Sequence, residues 1–91
     1  SELQKEMLQN DLARLATSKQ KLETEKKIAE AQGEAAKANE LSRDLLKDEI
    51  SQLEIKVRLG GVAAEQAKID LEDARKRLKL SEFRIVACAS R

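Results

Sequence analysis

"KVRLGGVAAEQ", residues 56–66, places two adjacent glycines in a chain that has three glycines and no proline. On either side the sequence codes for helix. Upstream, Leu46, Ile50, Leu53 and Val57 recur at spacings of four, three and four. Downstream, Ala64, Ala67, Leu71, Ala74 and Leu78 recur at three, four, three and four. Both runs are apolar seams of helical period. Lys56 and Arg58 stand in the last turn of the first run, where the helix dipole favours cations. Gly60 supplies the left-handed closure of a helix, and Gly61 serves as the N-cap of the next, with Glu65 in its first turn. So short a connection makes the two helices antiparallel neighbours, with the hairpin turn at 59–62.

Working outward, Glu54–Arg58, Glu72–Lys76 and Asp73–Arg77 each stand acid-first at i and i+4, the better order for helix support. Further upstream, Leu8, Leu15, Leu22 and Ala29 are seven apart, with Leu12 between the first two, a heptad stripe with one sparse seam. Ser1 and Gln4 make a capping-box pattern at its start. The phase of the stripe shifts in "EKKIAEAQGEAAKANE", 25–40, where Ile28, Ala31, Ala35 and Ala38 carry the apolar face and Gly33 interrupts it. A mid-helix glycine costs about 1 kcal/mol relative to alanine, so this segment reads either as a thin part of one long coil or as a second turn. After Leu80 the code changes again. "SEFRIVA", 81–87, sets Phe83 and Ile85 against Arg84 and Val86, a short strand signal.

The expected fold is therefore all-α: an antiparallel coiled-coil helical hairpin over 1–80 with one very long first helix. A three-helix bundle or an oligomeric coil are the alternatives. A strand-like or disordered tail is expected over 81–91.

Composition agrees. Charged residues make up 38% of the chain and Phe83 is its single aromatic, which suits a narrow seam between helices rather than a thick core. The formal charge of +1, with acids and bases interleaved, argues against nucleic acid as a partner. No stretch approaches the roughly 20 apolar residues of a membrane span, so direct membrane insertion of this segment is not expected. With no histidine and one cysteine, Cys88, neither imidazole catalysis nor a Cys/His metal cluster is available. The carboxylates are spread along solvated helix faces rather than paired in a water-excluding cleft. "GGVAAEQ" lacks the lysine and hydroxyl of a phosphate loop. The sequence thus predicts no enzyme and no cofactor, and a role in spanning distance or joining protein partners. The candidate partner-binding residues are Arg58, Leu59 and Val62, projecting beside Gly60 and Gly61.

From residue 40 onward the chain resembles the helical hairpin of periplasmic adaptor proteins, the membrane fusion proteins of efflux pumps and type I secretion systems. The resemblance is carried by "RLGGVAAEQAKIDLEDARKRLKLSEFRIVA", 58–87. It implies a hairpin whose tip meets an outer-membrane channel, a periplasmic location and a β-domain entered through Phe83-Arg84-Ile85-Val86-Ala87. Arg58, Leu59 and Val62 match the adaptor tip by type and spacing, while its later hydroxyl position falls at Lys68. Homo-oligomers and helical channel tips or other coiled-coil chains are the partners this implies. A second resemblance lies in "EKKIAEAQGEAAKANEL", 25–41, which is similar to the Ala/Glu-rich helix of prohibitin- and flotillin-type scaffolds. That alternative implies an oligomerisation coil on the cytoplasmic side of a membrane; an anonymous structural coiled coil is the third reading.

Overall fold

The computed structural model describes residues 1–89, with side chains described for residues 1–83. The chain forms three helices: α1 (Glu2–Ala31), α2 (Ala35–Leu59) and α3 (Val62–Ala89). The all-α expectation holds, with a long first helix of 30 residues. That helix starts as its sequence suggests: Ser1 accepts from the Gln4 backbone N–H and Gln4 reaches back, completing the capping box. It does not run on to residue 58. Gly33 takes φ 73, the Glu34 N–H donates to Ala29 O at 2.9 Å, and the chain reverses. Of the two readings of 25–40, the second turn is the one adopted.

Because α2 is central, it carries two seams. Ile50 and Leu53 pack on Ala67, Leu71 and Ala74 of α3, with Leu46, Val57 and Leu78 at the margins. These are the residues of the two regular runs flanking the glycine pair. On its other side α2 packs Ala38 and Leu41 against Ala29 and Leu22 of α1. Leu8 and Leu15 of the heptad stripe line grooves with Ile55 further along. Among the described residues α1 and α3 make no contact with each other. The helices form a layer with α2 in the middle, 50 × 25 × 16 Å, rather than a closed bundle. The radius of gyration, 15.5 Å, exceeds the roughly 12 Å of a compact chain of this length.

The two seams differ in quality. The α2–α3 seam is apolar until its open end, where the half-buried Arg43 and Ser81 take seam positions and Arg43 Nε is shut from water without a hydrogen-bond partner. The α1–α2 seam is polar at its centre. Leu41, Asp48 and Ile55 are seven apart and all buried, so Asp48 lies on the face that α2 turns to α1. Gln52 Nε2 donates to its carboxylate at 2.6 Å. Lys19 and Lys26 occupy half-buried seam positions of α1 between Leu15, Leu22 and Ala29.

The strand signal over 81–87 is overturned. Helix α3 runs through it to Ala89, and no strand occurs among the described residues. Extending a helix already held by Ala67–Leu78 adds one hydrogen bond per residue fixed, whereas a lone strand leaves its backbone groups unpaired. Ile85, Val86 and Cys88 fall where side chains are not described, as does any role of Cys88.

Candidate functional site

The end of the molecule formed by the second reversal is built from a few backbone groups. Helix α2 closes at Leu59, and the Gly60 N–H donates to both Lys56 O and Val57 O, at 3.3 and 3.2 Å. Gly60 has φ 76 and ψ −162, and Gly61 has φ 82. Two consecutive positive-φ residues turn the chain through two positions, and the Ala64 N–H then donates to Gly61 O at 3.2 Å. Lys56 and Arg58 occupy the last turn of α2 and Glu65 the first turn of α3, each with the charge its helix end favours.

The three tip residues share this end but not one face. Val62 is 95% exposed, whereas Leu59 is half-buried. Arg58 is exposed and lines a shallow groove between α1 and α2 with Leu8, Asp11, Ser51, Glu54 and Ile55. The Glu54–Arg58 pair expected from spacing does not close within 4.0 Å, while Glu72–Lys76 and Asp73–Arg77 do, at 3.5 and 3.2 Å. Arg77 also reaches across to Glu49 of α2 at 3.4 Å, tying α3 to α2 outside the apolar seam.

One contribution to this end is absent from the sequence reading. Since Leu8 lines the same groove as Arg58, the start of α1 lies at this end too, carrying exposed Leu3 and Met7. Their signal was available: both are large apolar residues off the Leu8–Leu15–Leu22 stripe.

Chemically the end offers one guanidinium, a few aliphatic side chains and turn backbone. Such a surface suits end-on contact with protein: charge-assisted hydrogen bonds from Arg58 beside small apolar contacts. Among the described residues no group of three or more His, Cys, Asp or Glu side chains is arranged to hold a metal ion. No helix among them is long and apolar enough to cross a membrane. No family model matches the chain, and neither a curated protein nor a solved structure does.

Proposed function

We propose that the chain is a structural interaction module, the helical hairpin of a periplasmic adaptor that bridges an inner-membrane transporter and an outer-membrane channel. Helices α2 and α3 form the hairpin, Gly60-Gly61 its tip, and Arg58, Leu59 and Val62 the residues offered to the helical end of the channel. Helix α1 braces α2 from the far side. The observation that carries this reading is the reversal through two positive-φ glycines at one end of a 50 Å-long molecule, with Val62 left 95% exposed at that end. Its role is non-catalytic and its location periplasmic. The scaffold alternative draws on the Ala/Glu-rich segment 25–41 as helix; the reversal at Gly33 falls inside that segment and weighs against it.

The test is transport by cells carrying the variant protein. Arg58→Ala with Leu59→Ser removes the guanidinium and the aliphatic contact at the end of the seam, so transport is lost while helicity is retained. Leu71→Ser, inside the seam, lowers both together. Normal transport by the Arg58/Leu59 double variant at normal expression overturns the tip assignment.

A further inference from the structure

Helix α3 is apolar on two sides. Its inner seam packs on α2. At 3.6 residues per turn, Val62, Ile69, Leu80 and Phe83 fall within an arc of about 60°, and that arc lies about 170° from the inner seam. These four are 95%, 63%, 62% and 70% exposed. Because α1 packs on the other side of α2 and makes no contact with α3, nothing among the described residues covers them. Gln66, Asp73 and Lys76 complete a regular series, so 62, 66, 69, 73, 76, 80 and 83 alternate at four and three, the spacing of a coiled-coil seam.

We propose that this outer face of α3 is the interface of an antiparallel homodimer, with a second copy of the chain as its occupant. The charges select both partner and direction. When a two-fold axis passes beside Ala74 and Arg75, Ile69 meets Leu80 of the second copy, Gln66 meets Phe83, and Asp73 meets Lys76. Each layer occurs twice by symmetry, as an isologous contact requires. On the two flanks Glu72 then faces Lys79, and Asp70 faces Arg77. Every charged position in or beside the seam between Gln66 and Leu80 thus meets its opposite. A parallel pairing in register instead stacks Asp73 on Asp73 and Lys76 on Lys76, two like-charge layers in one seam, which is unfavourable. The intrachain pairs Glu72–Lys76, Asp73–Arg77 and Glu49–Arg77 are solvent-exposed, and exposed pairs are worth little, so they exchange partners readily.

This pairing does not rest on the tip reading: Arg58 and Leu59 lie outside it, Val62 belongs to both surfaces, and the dimer carries one glycine turn at each of its ends. Its test is thiol cross-linking of the 91-residue chain in a Cys88→Ser background. The double variant Ile69→Cys/Leu80→Cys forms disulfide-linked dimers under mild oxidation, because each thiol meets the other type across the axis. Within one helix the two positions are about 16 Å apart, too far for an internal bridge. The single variant Ile69→Cys stays unlinked. In sedimentation equilibrium Ile69→Asp weakens dimerisation by at least ~10-fold with helicity unchanged, the position being exposed in the monomer. Cross-linking of the single Ile69→Cys variant, the signature of a parallel pair, overturns the proposal, as does a monomer at every concentration examined.

Discussion

At the scale of single residues, Gly60 is held in a conformation that other residues rarely adopt. Its φ 76 and ψ −162 lie in a region that is essentially glycine's alone. A Cβ built there meets nothing within 4 Å, so substitution strains the backbone without a clash. Gly60→Ala is therefore expected to lower stability by about 1–3 kcal/mol, read as a shift in urea midpoint with unchanged slope. An unchanged midpoint means that the turn relaxes into another conformation and that the tip geometry is not fixed by this residue. The glycine pair was legible because two glycines interrupt otherwise regular seams. Gly33 was ambiguous for a physical reason. A single glycine costs a helix about 1 kcal/mol, a penalty that tertiary packing can outweigh, so sequence alone left both outcomes open. The packing of Ala29 on Ala38 and Leu41 accompanies the bend. Arg58, Leu59 and Val62 flank the second turn, and the faces they occupy were not legible. Arg58 turns toward a groove whose far wall is α1, and that wall exists only once Gly33 has turned the chain.

At the scale of elements, the two seams of α2 imply unequal attachment of its neighbours. Helix α3 is held by five buried residues in one cluster, and α1 by three in its own, of which Ala29 is the only buried residue that α1 supplies. Between the packed layers of Leu15 and Leu22, α1 offers Lys19, and at that level α2 offers Asp48. Among the described residues no ion pair within 4.0 Å joins them. Asp48 is 7% exposed and has Gln52 as its hydrogen-bond partner. A carboxylate has more acceptor sites than one amide fills, and a buried polar group without its full set of hydrogen bonds costs about 1–3 kcal/mol. Asp48→Leu, extending the Leu41–Ile55 stripe, is accordingly expected to stabilise the chain by about 1–3 kcal/mol in chemical denaturation. A loss of stability instead makes Asp48 a partner of Lys19 in solution and the polar layer a source of stability. The α2–α3 seam was readable because its apolar residues keep strict spacing. The α1–α2 seam was only half readable, because heptad positions filled by Lys and Asp look like solvated surface until the partner helix is known. The tail failed for the converse reason: alternation over 81–87 is a local signal, and the helix preceding it decides the outcome.

For the whole molecule, the absence of contact between α1 and α3 among the described residues makes α2 the sole link between its neighbours. This geometry has a direct measure. Gln20, Lys47 and Lys76 are exposed and lie near one level, on α1, α2 and α3 respectively. Packed helix axes lie about 8–10 Å apart, so a layer sets the α1 and α3 axes roughly 16–20 Å apart, whereas a closed bundle makes all three separations alike. Spin labels placed pairwise at these positions are expected to give a Gln20–Lys76 distance approaching the sum of the other two. The labelled chain is diluted with unlabelled chain so that pairs between copies do not contribute. Three equal distances would mean that α1 has swung round to cover α3, closing a bundle. The same measurement bears on association through α3. In the layer, Val62, Ile69, Leu80 and Phe83 stay open along one edge, and α1 lies too far away to shield them. A closed bundle that brings α1 onto that face removes the surface a second copy needs. Layer geometry and dimerisation therefore stand together, and a dimer that survives three equal distances has to be held elsewhere than on the outer face of α3.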